Sequence, residues 1–439
     1  MITTVIGRTF LDAYNKKYDK SLSPKEFFEQ EYWDVFFNHP KYMQWVTNSP
    51  FVQMKSGQKP HLLQLEERQE KLENLFAKVA EGSPDASFAL GFPASELKEY
   101  ASTSGLVSDL NIPTVDDDVY LSWIGSGLGI GVAGGFSILY NDPNITLQTF
   151  EGWQVYRKYL NDPLLKNMRG NQINTWNGQW LTYSFDEDEF REDFEFSDLE
   201  DQNIFSVKES VTEVNTVNWS QLFFSLSQQF PEIEIMGYVY GFGQTNKTIG
   251  FIPFQLKSGQ NLLSTYEKLF GGTLANKKQF ESLFGMHIKR ACELGSIGMQ
   301  ALRPDSLKKL MDQGKSLTFK KEEDTINYHA YKTWLVAMLS KNKEEITDYT
   351  LELAKLLKRY RAGGTKLDRK TLLEKELLIS GTKKAFIEAL IHTVKDLEGA
   401  DLESIKKLKD EVHLMSNEEF GYFSTLLRFD YAFVEQQAD

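Results

Sequence analysis

Cysteine is nearly absent. Cys292 stands alone in 439 residues, which excludes an internal disulfide and any zinc site built on several thiolates. A lone thiol fits a reducing compartment. The six histidines, at 39, 61, 287, 329, 392 and 413, form neither H-x-x-x-H nor H-E-x-x-H. The spacing that sets two imidazoles on one helix face around a metal is therefore missing. No G-x-S-x-G occurs, so there is no nucleophile elbow. The start, MITTVIGRTF, lacks the basic and apolar regions of a secretory signal, and the expectation is a soluble, cytoplasmic protein without catalytic machinery, cofactor or metal.

Positive charge is also scarce. Lys and Arg number 49 against 62 Asp and Glu, a net of −13, whereas nucleic-acid binders are ordinarily basic. The deficit is uneven. Residues 1–285 carry 23 basic and 37 acidic side chains (−14), and residues 286–439 carry 26 and 25 (+1). Asp186–Asp201 alone holds ten acids and one Arg (−9). It reads as an exposed loop, with mimicry of nucleic acid as the alternative. The rest is only mildly acidic, so local patches decide what the surface attracts.

Apolar material is plentiful: 41% of residues are hydrophobic and 13% aromatic. The length predicts two or three domains. Ser23-Pro24-Lys25-Glu26 is a capping box opening a helix, and a second helix is predicted from His61 to Ala80. From about Tyr120 to Leu256 aromatic and β-branched runs predict a β-rich core with helices packed on it. There IEIMGYVYGF and TIGFIPFQL flank GQTNK as a hairpin, with Met236, Tyr238, Tyr240 and Phe242 on one face. From about Arg303 onward the texture is helical. Ile346, Tyr349, Leu353, Leu356 and Tyr360 form an apolar stripe closed by Gly363-Gly364. KKAFIEALIHTVKDL and the Leu402, Ile405, Leu408, Val412 stripe add helices, and Ser416-Asn417-Glu418-Glu419 caps a last one. The expected fold is α+β: a mixed domain over residues 1–300, then a helical bundle over 301–439.

Leu121–Tyr140, LSWIGSGLGIGVAGGFSILY, has six glycines and no charge. Gly129-x-Gly131-x-x-Gly134 fits a dinucleotide fingerprint by letter, but a strand and turn follow where that motif needs a helix. Gly127, Gly131 and Gly135 repeat at four in a stretch long enough to span a membrane. The preferred reading is a glycine loop joined to strands, where another backbone comes close, either the protein's own or that of a nucleic acid. Six glycines oppose a helix here.

Two polar loops carry recognition chemistry. NMRGNQINTWNGQW, residues 167–180, offers Arg169, Asn171, Gln172 and Asn174, side-chain types that pair with base edges. The hairpin tip offers Gln244, Asn246 and Lys247. Asn and Gly are also ordinary turn residues, which is the competing reading. Lys358, Arg359 and Arg361, with Lys355, Lys366, Arg369 and Lys370, form the densest basic patch, able to follow phosphates or to sit as a solvated helix end. Cys292 reads as a small buried apolar residue, and Asp116-Asp117-Asp118 as a solvated turn.

The layout, together with WIGSGLGIGVAGGFSILY and VNWSQLFFSLSQQFPEIEIMGYVYGFGQTNKTIGFIPF, resembles the large subunit of the type I CRISPR surveillance complex, Cascade. The resemblance implies a non-catalytic subunit at the 5′ end of the guide RNA, contacting other Cascade subunits. It would recognise the short motif beside the target double-stranded DNA, help open the duplex and recruit a helicase-nuclease. Matched by type, Gly125 to Gly135 stand for the family's glycine loops, with Gly127, Gly129 and Gly131 as the nucleic-acid-binding residues, Gln244 for its wedge, and Lys247 or Arg169 for its basic finger. Met299 would supply an internal start for a separate small subunit. A membrane-active protein inserting the Gly-rich segment, and a protein-only scaffold, are the alternatives.

Overall fold

The computed structural model describes residues 1–46, 49–80, 115–187, 189–201, 203–231, 234–241, 247–270, 277–304, 323–338, 343–363 and 366–436. The fold is α+β, with a small antiparallel sheet and a helical carboxyl-terminal region. The chain divides into two compact units, Met1–Leu256 and Lys257–Asp439. That division lies ahead of the residue-300 boundary read from sequence texture.

In the first unit α1 (Ile2–Lys17) buries Ile6, Phe10, Leu11 and Tyr14. The Ser23 capping box forms, with Ser23 Oγ accepting from the Glu26 amide and Glu26 from the Ser23 amide. The helix it opens continues through a π-helical turn, Phe28–Tyr32, to Phe36. Then come α2 (Leu65–Ala80) and α3 (Asp116–Gly127). The three aspartates expected in a turn form the first turn of α3, where their charge faces the positive end of the helix dipole.

Helix α3 corrects the loop predicted for the Gly-rich segment, since Leu121–Gly127 is helical and buried. The intrinsic cost of glycine in a helix is outweighed by what its lack of a side chain permits. A Cβ on Gly125 would lie 2.7 Å from the Thr3 carbonyl carbon and 3.0 Å from Gly7 N, and closer still to Thr3 O. A Cβ on Gly7 would lie 2.8 Å from the Leu121 carbonyl carbon. Helices α1 and α3 therefore cross with backbone against backbone, a spacing only glycine permits.

The second half of the segment is a hairpin as expected, β1 (Ile130–Val132) and β2 (Phe136–Tyr140). Gly134 and Gly135 make its turn at φ +88° and +73°, backbone angles that L side chains resist. Pro143 opens α4 (Pro143–Asn161), capped by Asp142. Helix α5 spans Ile173–Ser184. Strands β3 (Phe205–Lys208) and β4 (Val211–Val214) form a separate hairpin, followed by α6 (Trp219–Gln229). The predicted hairpin is β5 (Glu234–Gly241) and β6 (Lys247–Gln255). It completes a four-stranded antiparallel sheet ordered β1-β2-β5-β6, in register Tyr140↔Gly237 and Tyr238↔Phe251.

The acidic run is not a loose loop. Phe190, Phe194 and Phe196 anchor it, with Phe194 5.5 Å from Trp180 and Phe196 5.0 Å from Tyr159 between ring centroids. Aromatic burial holds the segment in place while most of its described acids stay in solvent.

The second unit begins with α7 (Lys257–Phe270). Strand β7 (Phe284–Met286) pairs with β8 (Leu302–Pro304). The helices α8 (Glu323–Met338), α9 (Lys343–Ala362), α10 (Lys383–Val394), α11 (Gly399–Leu414) and α12 (Asn417–Gln436) follow. Trp334 of α8 donates to Met299 O at 2.6 Å and Leu302 O at 3.1 Å, so residues before 301 belong to the bundle's packing. The apolar stripes are buried as their spacing predicted, with Leu353, Leu356, Tyr360, Ile405, Leu408 and Val412 in one core, and Ser416 and Glu419 form their capping box. Asp430 is fully buried and accepts from Tyr328 at 3.1 Å and Thr350 at 2.7 Å, with Lys332 at 3.5 Å. Burial raises its carboxyl above the ordinary range. Cys292, expected inside, is exposed, because the helix Ile288–Leu294 buries Ala291 instead.

Candidate nucleic-acid interface

Gly127, Gly129 and Gly131 are buried, and what approaches them is this protein's own chain. A Cβ on Gly127 would meet Phe36 and Trp153 at 3.1 Å, and one on Gly131 would meet Asn174 O at 2.9 Å. Asn174 Nδ2 donates to Gly129 O at 2.9 Å, and Asn177 Nδ2 to Gly127 O at 2.8 Å and Gly129 O at 2.9 Å. Two asparagines thus satisfy the carbonyls left where α3 gives way to β1. Asn174 is spent on this bracing, and no glycine of this trio offers its backbone to an outside ligand.

The polar stretch 167–180 splits in two. Ile173, Trp176, Trp180 and Leu181 form a buried helical face, so the expected loop is helix α5 from Ile173 onward. Burial of that aromatic stripe overrides the turn preference of its Asn and Gly residues. Only residues 166–172 remain a loop, and it is held at several points. Arg169 N donates to Thr212 O and Thr212 N to Asn167 O. Gln172 Oε1 accepts from Val214 N at 3.0 Å, and Lys41 Nζ donates to Lys166 O at 2.7 Å and Met168 O at 2.8 Å. Lys166, Asn167, Arg169 and Asn171 remain exposed along it. Arg169 pairs with Glu213 at 2.6 Å, which Lys208 also approaches at 3.7 Å.

Gln244 and Asn246 lie outside the described residues, and of Lys247 only its backbone, pairing with Gly241, is described. The sheet below the tip carries an open aromatic face. Phe251 is 66% exposed and Met236 47%, and the Tyr238 and Phe251 rings lie 5.1 Å apart. Tyr240, expected beside them, is buried.

The basic patch on α9 is largely neutralised. Arg359 pairs with Asp401 at 3.1 Å, and Arg361 with Glu435 and with Glu374 at 3.5 Å. Lys358 Nζ donates to Val434 O at 3.2 Å, and Arg369 pairs with Asp396 at 3.2 Å.

Other cations of the first unit are held by carbonyl groups. Arg157 is 8% exposed and spends its guanidinium on Val35 O (Nε at 2.7 Å) and Lys41 O (Nη1 at 3.2 Å). Arg68 Nη2 donates to Leu63 O at 2.8 Å, and its Nε is buried without a hydrogen-bond partner among the described residues. His39 Nδ1 accepts from the Lys41 amide at 3.0 Å. Burial, with Arg157, Arg68 and Lys41 nearby, lowers the imidazole to about 4. Burial and Arg157 also lower the Lys41 ammonium. Among the described residues, none of Lys41, Arg68 and Arg157 pairs with a carboxylate. The sequence held one signal for Arg157: Phe150, Trp153, Arg157 and Leu160 follow a 3-4-3 spacing, which puts an arginine on the apolar stripe of α4.

No family model, curated protein or solved structure matches this chain. Among the described residues no helix is long and apolar enough to cross a membrane, and no group of three or more His, Cys, Asp or Glu is placed to hold a metal.

Proposed function

We propose that this chain is a non-catalytic nucleic-acid-binding subunit of an RNA-guided surveillance complex of the Cascade type. In that role it would recognise the motif beside the target DNA and help open the duplex. The observation that carries the reading is a hydrogen-bonded loop, Lys166–Gln172, with Lys166, Asn167, Arg169 and Asn171 exposed along it and the carboxylate-free Lys41 ammonium holding its Lys166 and Met168 carbonyls. Phosphates are held by such cations and base edges by such amides. The open Phe251–Tyr238 face supports it further, since unpaired bases stack on exposed rings of a sheet. The two-unit order, mixed then helical, matches the layout the resemblance implies. The Gly-rich segment, a buried helix end and a hairpin, weighs against the membrane alternative.

The test is co-purification from the native host with a carboxyl-terminal tag, followed by salt-dependent binding of the purified material to guide RNA and duplex. Short RNA with a uniform 5′ end, and partner polypeptides, are expected. Phe251→Ala, at a side chain already in solvent, is expected to weaken single-strand binding by about 1–3 kcal/mol without shifting the melting temperature. A chain recovered free of RNA, with no salt-dependent affinity for either nucleic acid, refutes the proposal.

A further inference from the structure

We propose that Tyr328, Lys332, Thr350 and Asp430 form a register lock, a conformational device that selects one axial alignment of α12 against α8 and α9. The need for a lock follows from α12 itself. Of residues 423–431 only Arg428 is not buried. The middle of the helix is therefore enclosed on nearly every side and lacks the single apolar stripe that orients a surface helix. Its rows at four-residue spacing are close to interchangeable: Phe423, Leu427 and Tyr431 make one, and Phe429 and Phe433 belong to another. A slide of one turn, about 5.4 Å, would put Tyr431 in the place of Leu427 and Phe433 in that of Phe429. Hydrophobic burial is non-directional and barely tells the two alignments apart.

The row Leu426, Asp430, Val434 breaks that symmetry. Asp430 accepts from Tyr328 of α8 at 3.1 Å and from Thr350 of α9 at 2.7 Å. Lys332, one turn further along α8, donates to Tyr328 Oη at 3.3 Å and stands 3.5 Å from Asp430. All four side chains are buried, so three helices meet at one carboxylate. After the slide Val434 would face these donors, and Asp430 would occupy the buried place of Leu426. Lys332 would then be a buried charge without its counter-ion, which is strongly destabilising. The geometry suits selection better than stabilisation. The ion pair is long, and among the described residues the Lys332 ammonium makes one hydrogen bond. Burial raises the Asp430 carboxyl even with Lys332 beside it, so the pair recovers only part of the cost of taking two charges out of water. Tyr328 is itself positioned by stacking on Phe433 at 3.9 Å and Phe429 at 5.1 Å. The buried hydroxyl of Thr425, by contrast, donates to Gly421 O within α12 and is indifferent to alignment.

The test uses the full chain and two readouts, helical melting by circular dichroism and the distance between two spin labels. The labels sit at Lys355→Cys on α9 and Gly421→Cys on α12, both exposed positions, in a Cys292→Ser background. Lys355 lies beyond Thr350 and Gly421 before Asp430, so a slide of one turn changes their separation. Asp430→Asn and Lys332→Met each leave a buried charge unpaired and are expected to lower the melting temperature by about 10 °C. The all-apolar combination Tyr328→Phe, Lys332→Met, Thr350→Val and Asp430→Leu is expected to melt at or above both single variants. Wild type is expected to give one narrow label distance, and the all-apolar variant a second or broadened one. An all-apolar variant that keeps the single wild-type distance overturns the lock, because burial alone then fixes the alignment. An all-apolar variant melting below both single variants overturns it too, since the network would then serve stability.

Discussion

Replacing Gly125 by alanine tests the α1–α3 crossing on which the first unit's packing rests. The new Cβ would stand 2.7 Å from the Thr3 carbonyl carbon, where carbon atoms prefer about 3.5–4.0 Å. Its neighbours are backbone atoms of α1, so no side chain can swing away, and the helices must part by about 1 Å. Overpacking of this kind costs about 1–3 kcal/mol. Parting the helices also forfeits about a quarter to a half of the dispersion energy at each contact that opens. Alanine returns about 1 kcal/mol of helix propensity. The net expectation is a loss of about 2 kcal/mol, and a fall in melting temperature of about 4–8 °C for a unit of this size. Seven of the eight tryptophans lie in residues 1–256, so intrinsic fluorescence during urea or thermal unfolding follows this unit. Gly421→Ala is the matched control. Gly421 is inside α12, and a methyl group added there would meet nothing within 4 Å, so the same substitution is expected to stabilise by about 0.5–1 kcal/mol. Gly125→Ala melting together with wild type would refute the close crossing.

Two further outcomes are expected. His39 is held near 4, below its ordinary 6.5, first by burial and then by Arg157. Its neutral form therefore contributes stability that is complete above pH 6.5 and lost as pH falls towards 4, because the unfolded imidazole takes up a proton the folded one refuses. Urea midpoints read by fluorescence at pH 7.5, 5.5 and 4.5 should fall less steeply in His39→Gln, and parallel profiles would remove His39 as the cause. A fragment of residues 257–439 should show a cooperative helical melt by circular dichroism. Residues 299–439 should melt less cooperatively, since they lack α7 and β7, the partner of β8; equal melts would return the boundary to residue 300.

Helices with a regular stripe were legible. Leu353, Leu356 and Tyr360 are buried as their 3-4 spacing required, and the boxes at Ser23 and Ser416 form because their partners are three residues away. The β5–β6 hairpin was legible for the same reason, as alternation and a turn are local. The candidate site was much less so. Of the residues picked by type, Asn174 braces the core, Gln172 holds a strand, and Arg359 and Arg361 meet acids. Side-chain type says what a residue can bond, but not whether the fold has already used that bond.

The sequence by itself determined the α+β class, the helical carboxyl-terminal region and the two capping boxes, because each follows from residues within a few positions of one another. Tertiary structure alone decided the meaning of the glycines. Gly125 permits a helix crossing because Thr3 and Gly7, more than a hundred positions earlier, come against it, and no local propensity encodes that approach. It also decided where unspent positive charge lies. Lys41 and Arg157 are far apart in the chain and meet only when α4 folds against residues 35–41, as Arg157 grips Val35 O and Lys41 O. Local interactions fix the elements, whereas the surroundings of a charge depend on which distant segments burial brings to it.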